Sequence, residues 1–170
     1  MKKIALCLFA VLLFGTANAQ ESNNSPKLTA HHVGIHAGGT TGLGFSYRYW
    51  PTRWGFQVTG IPIFSQGQTF ASFGASALYL LKDNNRVDLF GYFGNHLIID
   101  HSSFTSYDGS GNPIEYSYTD VIDNLGFGLG LKIDMFEVIN LNLQAGYGVI
   151  DITNSPRTFP TGEIGLYYNL

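Results

Sequence analysis

The sequence predicts an all-β fold, an eight-stranded antiparallel up-and-down transmembrane barrel, and three observations predict it. Apolar residues fall on every second position through most of the chain, the period of a strand with unlike faces. Charged residues make up only 12% of the 170 residues, aromatics reach 15%, and there are 21 glycines, whereas soluble domains carry about 25% charge. The closing run GEIGLYYNL alternates up to Leu170, where an open edge strand would invite aggregation. An even number of antiparallel strands lets the last pair with the first, so that every backbone group in hydrocarbon finds a partner.

Residues 1–19 read as a cleaved signal peptide. Lys2 and Lys3 precede the apolar run from Ile4 to Gly15, and Ala17-Asn18-Ala19 supplies the small-x-small cleavage pattern. A bilayer-spanning helix needs about 20 apolar residues, and this run is too short. Cys7, the single cysteine, lies inside it. Residues 20–170, the expected barrel domain, therefore carry no thiol and no disulfide framework. The formal net charge is −3, and losing Lys2 and Lys3 makes it more negative. That balance argues against nucleic-acid binding.

Strands are expected near 31–38, 41–50, 54–64, 69–81, 87–100, 120–133, 138–150 and 161–170. In the second, Leu43, Phe45, Tyr47 and Tyr49 share one face, against Gly44, Ser46, Arg48 and Trp50. In the sixth, Leu125, Phe127, Leu129, Leu131 and Ile133 oppose Gly126, Gly128, Gly130 and Lys132. In the seventh, Leu141, Leu143, Ala145, Tyr147 and Val149 oppose Asn142, Gln144, Gly146 and Gly148. The eighth sets Ile164, Leu166, Tyr168 and Leu170 against Glu163, Gly165 and Tyr167. Small and polar residues suit the narrow inside of a small barrel, and large apolar ones suit lipid. Pro62 predicts a bulge or the outer rim in the third strand. The register of 87–100 stays open, since Val87 and Leu89 compete with Phe90 and Tyr92 for the same face. Trp50, Trp54 and Tyr49 are expected in an aromatic girdle beside the first short turn.

The short polar connections at 51–53, 82–86 and 134–137 are assigned to the periplasmic side with both termini. Those at 38–41, 65–68, 101–119 and 151–160 are assigned to the outside. At this level the chain resembles the small eight-stranded outer-membrane barrels of the OmpA-like and OmpX-like group. The resemblance is sharpest in the last residues, where Glu163, Gly165, Tyr168 and Leu170 occupy the places of that group's C-terminal assembly signal. It implies an outer-membrane location among lipid and lipopolysaccharide, and insertion by the barrel-assembly machinery. Leu170 stands where the group commonly has phenylalanine.

Candidate chemistry is sparse. His36, Arg48, Asp88, Lys132 and Glu163 are expected to point into the lumen as a polar network, with Asp88–Lys132 and His36–Glu163 as pairs, because an unpaired interior charge is costly. His31, His32 and His36 cluster in sequence, but strand neighbours point to opposite faces, so neither a metal site nor any cofactor is expected. His101, Ser103 and Glu115 offer a histidine, a hydroxyl and a carboxylate, the set used in acyl transfer. Their spacing is similar to that of lipid A 3-O-deacylases, with Phe104 where those enzymes have asparagine, which makes a lipid hydrolase the alternative function. The leading expectation is a monomeric, non-enzymatic surface protein with a filled lumen, whose segment 101–119 could meet a ligand.

Overall fold

The structure, a computed structural model, describes residues 30–65, 67–84, 86–107 and 112–170. The expected signal peptide, with Cys7, lies outside the described residues, as do residues 108–111. Eight strands follow one another: β1 (Ala30–Gly38), β2 (Gly42–Trp50), β3 (Trp54–Ser65), β4 (Gln68–Lys82), β5 (Val87–Tyr107), β6 (Pro113–Asp134), β7 (Ile139–Ile150) and β8 (Arg157–Asn169). Each pairs antiparallel with its sequence neighbours, and β8 returns to β1 to close the ring. The closing register runs from His32 opposite Asn169 to Ala37 opposite Ile164, and the Leu170 amide donates to the His31 carbonyl at 2.9 Å.

The barrel is inside-out relative to a soluble protein. Phe45 is 71% exposed and Phe127 62%, whereas Arg48 and Gln57 are each 1% exposed. Among the described residues the buried apolar side chains are Trp50, Leu78, Phe90, Tyr92 and Tyr167, and the remaining interior is polar or glycine. Exposed rings and branched chains on the outer face gain nothing in water and are stable in hydrocarbon. Ile35, midway along β1, is 59% exposed and flanked by Phe45 and Leu166 on the neighbouring strands. Ile35→Arg is expected to destabilise the barrel by about 2–4 kcal/mol in lipid vesicles, the cost of a cation near the bilayer midplane. Urea titration measures it, and an unchanged midpoint would remove Ile35 from the lipid face.

Two expected boundaries move. Segment 101–119 is not an open loop: β5 and β6 pair without a break from Val87 opposite Ile133 to Tyr107 opposite Pro113. Period-two alternation persists through that stretch, and the ladder follows it. β8 also starts earlier, at Arg157, and includes Pro160. Both prolines in strand interiors have one cause. The β1–β2 hairpin is short, so β2 pairs with β3 only as far as Gly60, and β1 pairs with β8 only as far as Ile164. Pro62 and Pro160 sit on the two stretches of free edge this leaves, where a missing donor is tolerated. No register shift accompanies Pro62; the one on β4 falls at that strand's other end, between Leu80 and Lys82, in its pairing with β5.

The register of β5 is settled by its neighbour. Asp88, Phe90, Tyr92, Gly94 and His96 face the lumen, while Phe93 is 55% exposed outside. Phe90 lies opposite Gly130 and Tyr92 opposite Gly128. A Cβ added at Gly130 would come within 2.3 Å of the Phe90 ring, and one at Gly128 within 2.8 Å of the Tyr92 ring. The glycines of β6 leave the volume that the rings of β5 fill. Trp50 departs from its expected girdle position: it is 8% exposed and packs with Leu78, Phe90 and Tyr92 inside the barrel, over Gly55, where a Cβ would be 2.6 Å from its ring. Trp54 does lie outside, its ring 4.9 Å from that of Tyr79.

Candidate functional site

The lumen holds two buried charges in one bonded column. Arg48 projects from β2, two residues before that strand ends at Trp50. Its Nε and Nη2 donate to Gln57 Oε1 at 3.1 and 2.5 Å, and its Nη1 donates to Asn142 Oδ1. The guanidinium carbon lies 4.5 Å from the Tyr167 ring centroid and 5.2 Å from that of Phe90. Neutral oxygens and aromatic faces thus surround the cation. Toward the end of the barrel that carries the C-terminal residue, Asn142 donates to Asn140 at 2.6 Å and Asn140 to Asn169 at 2.6 Å, with His32 Nδ1 2.6 Å from the same Asn169 oxygen.

Toward the opposite end, where the β1–β2 turn lies, the column reaches Glu163. Its Oε1 accepts from the Thr40 amide at 3.0 Å and the Thr40 hydroxyl at 2.6 Å, and its Oε2 accepts from the Thr41 hydroxyl. His36 Nε2 is 3.5 Å from the carboxylate and 2.6 Å from Thr41 Oγ1. Gln144 stands between the two charges. With its amide oxygen toward Arg48 Nη2 and its nitrogen toward Glu163 Oε2, both contacts are 3.2 Å. One amide therefore relays between guanidinium and carboxylate.

Thr40 and Thr41 belong to the β1–β2 turn, and both are fully buried. The turn does not project outward as an external loop; it folds into the barrel and plugs it. Gly42 takes φ +102° to allow this, a conformation that costs other residues strain. Asn124 donates to the Gly39 carbonyl at 3.0 Å, and His96 Nδ1 lies 3.0 Å from the same oxygen. The surrounding wall is cut away to receive it. A Cβ would lie 2.1 Å from Thr41 O at Gly74, and 2.3 Å from Thr40 Oγ1 at Gly126. At Gly148 and Gly94 it would lie 2.6 and 2.7 Å from Thr40 and Thr41 methyl carbons.

Of the five lumen residues singled out by sequence, the structure brings His36, Arg48 and Glu163 into this column. Lys132 and Asp88 form a separate pair at 2.7 Å near the mouth that carries the β4–β5 and β6–β7 turns, with Asp134 3.7 Å from the same amine. Asn142, Gln144 and Tyr167 were placed on the inward face from their spacing but not in the network, and Thr40, Thr41 and Gln57 were not singled out. Gln57 falls on the lumen phase of β3, so its signal was available. His31 faces outward, 2.6 Å from the Tyr47 hydroxyl and stacked on Tyr49 at 4.6 Å, while His32 and His36 are buried. Among the described residues no group of three His, Cys, Asp or Glu could hold a metal ion.

The terminal residues divide by face. Glu163 lies in the lumen, and Gly165 lies where a Cβ would be 2.6 Å from the Tyr167 ring and 2.7 Å from His36. Tyr168 and Leu170 are 50% and 72% exposed outside.

His101, Ser103 and Glu115 do share the outward face of the β5–β6 hairpin, but they are not assembled. His101 Nδ1 is 2.8 Å from Thr119 Oγ1, the Ser103 hydroxyl donates to the Gly67 carbonyl at 3.2 Å, and Glu115 lies opposite Thr105. A relay needs the hydroxyl in hydrogen-bond reach of the base; here each is bonded elsewhere. The hairpin itself outreaches the rest of the barrel: β4 leaves β5 at Ser102, and β7 leaves β6 at Leu125.

A closed antiparallel ring of eight strands, an apolar outer belt and a filled polar lumen define the class: a small transmembrane β-barrel of the outer-membrane type. The chain is also similar to several solved structures. The N-terminal β-barrel domain of Pseudomonas aeruginosa OprF is 14% identical over 86% of this chain and 100% of its own, with a TM-score of 0.48. Ail, the attachment invasion locus protein of Yersinia pestis, is 16% identical over 84% of this chain and 97% of its own, with a TM-score of 0.43. Neisserial surface protein A is 19% identical over 84% of this chain and 94% of its own, with a TM-score of 0.38. No protein-family model and no curated protein matches the chain.

Proposed function

We propose that the protein is a monomeric integral barrel of the outer membrane with a surface-interaction role, exported by its 1–19 signal and inserted by the barrel-assembly machinery. The plugged lumen argues against a wide pore. The observation that carries the reading is the β5–β6 hairpin, which continues past its neighbouring strands and holds half-exposed Phe104, Tyr116 and Tyr118 away from the lipid belt. Rings with few rotatable bonds make capable contact surfaces. The outer belt supports contact with lipid and lipopolysaccharide along the wall, and the hairpin supports contact with a ligand beyond it.

Replacing residues 101–119 by a two-residue Asn-Gly turn tests this. The shortened protein is expected to keep its heat-dependent gel shift and outer-membrane fractionation, and to lose capture of surface ligands by whole cells. Undiminished capture would refute a role for the hairpin.

A further inference from the structure

We propose that the lumen-phase face of the β5–β6 hairpin binds cationic side chains, and that its occupant is an extended peptide segment bearing arginine or lysine. The inference rests on the surface-contact reading above and gives the partner its chemistry. Three successive rungs share that face: Asp100 opposite Asp120, Ser102 opposite Tyr118, and Phe104 opposite Tyr116. Phe70 of β4 extends the first rung beside Asp100. Phe104, Tyr116 and Tyr118 are 56%, 48% and 57% exposed, and the first two stack with centroids 5.4 Å apart. Among the described residues, nothing in the fold covers this sheet face.

Charge selects the occupant. Like charges directly opposite each other destabilise a ladder, and both Asp100 and Asp120 are exposed without an ion-pair partner among the described residues. No lysine or arginine occurs between Arg86 and Lys132, whereas Asp88, Asp100, Asp108, Glu115, Asp120 and Asp123 all do. A cation seated at the Asp100–Asp120 rung relieves the repulsion and lies beside ring faces that attract it through their quadrupoles. Guanidinium suits both parts, since it pairs with carboxylates through two donors and stacks on aromatics. Anions are repelled, and a neutral sugar would use the rings but leave the opposed carboxylates unrelieved. A peptide fits better than a small amine because the rungs are spaced by two residues of strand. Alternate side chains of an extended segment have the same spacing.

The full-length barrel in lipid nanodiscs, titrated by fluorescence anisotropy with a labelled peptide of alternating Arg and Ser, tests this. A Glu–Ser peptide and maltohexaose serve as comparators. The Arg peptide is expected to bind and to weaken as salt shortens the range of the charges. The double variant Asp100→Asn, Asp120→Asn is expected to bind about tenfold more weakly, equivalent to ~1.4 kcal/mol. Tyr116→Ser with Tyr118→Ser is expected to weaken binding while leaving its salt dependence in place. The heat-dependent gel shift checks that each variant is folded. Equal binding by the double Asn variant, or preference for the Glu peptide or the oligosaccharide, overturns the inference. Either result leaves the surface role standing if the 101–119 replacement still abolishes ligand capture. Capture that survives that replacement, alongside salt-dependent Arg-peptide binding, removes the surface role alone.

Discussion

Glu163→Ala is expected to unseat the β1–β2 turn and to cost the folded barrel about 3–5 kcal/mol, the range found when one partner of a buried charged network is removed. The loss has identifiable parts. The Thr40 amide and the hydroxyls of Thr40 and Thr41 lose the acceptor that satisfies them, and a buried donor left unmade costs about 1–3 kcal/mol. Arg48, 1% exposed, loses the anion that Gln144 relays to it. Glu163→Gln keeps one acceptor oxygen in place and should cost clearly less. Urea unfolding in lipid vesicles gives the free energies. A Thr40→Cys probe reports the plug itself, because Cys7 is the chain's only thiol and precedes the expected cleavage site. The introduced thiol, buried with the turn, should resist a water-soluble maleimide in the parent and react in the Glu163→Ala background. A stability change below about 1 kcal/mol, or a thiol equally protected in both backgrounds, would mean that the carboxylate does not hold the turn.

The difference between what was legible in the sequence and what was not follows one physical line. Alternation is a property of single strands, so it reports which residues face out and which face in. Closure then follows from the need to satisfy the final strand. That is why Phe45, Phe127 and Leu166 could be assigned to lipid, and Arg48 and Glu163 to the lumen, from spacing alone. Alternation carries no information on what meets across the lumen. His36 and Glu163 are on paired strands, and their neighbourhood could be anticipated. Arg48 and Asn142 are on strands that do not pair, and their contact could not.

The inward turn was invisible for a related reason. Gly-Gly-Thr-Thr between two strands reads as an ordinary external connection, and only the short β1–β2 hairpin among longer neighbours makes room for it inside. The glycines at 74, 94, 126 and 148 were present in the sequence, but their meaning depends on four strands converging on Thr40 and Thr41. In the hairpin, turn-rich composition around 108–113 suggested a long loop, whereas the flanking alternation carried the ladder up to Tyr107 and Pro113. The His101, Ser103 and Glu115 pattern shows the opposite hazard. The residue types suited acyl transfer, yet the local ladder gives His101 and Ser103 other partners.

Phe90 and Gly130 should behave as one packing unit with a measurable coupling. Phe90 is fully buried and sits in the Trp50, Leu78 and Tyr92 cluster. Phe90→Ala is therefore expected to cost about 3–5 kcal/mol, the lost transfer energy plus the cavity left behind. Gly130→Val forces a Cβ to within 2.3 Å of the ring's Cζ and should cost about 1–3 kcal/mol by overpacking. In the double variant the added valine occupies space that the missing ring vacates. The two losses should then fall short of additivity by at least about 1 kcal/mol, within the coupling range for residues in direct contact. Additive losses would mean that the ring does not rest over this glycine, and β5 would then lack its reason for turning Phe90 rather than Leu89 toward the lumen. Gly91→Val is the control, since a Cβ there comes no closer than 3.9 Å to any neighbour. It should couple to Phe90→Ala by no more than about 0.5 kcal/mol. The ring-over-glycine pairing thus fixes more than local volume: a slip of one residue in β5 would carry Phe93 inward and the Asp88 carboxylate out to lipid, away from Lys132.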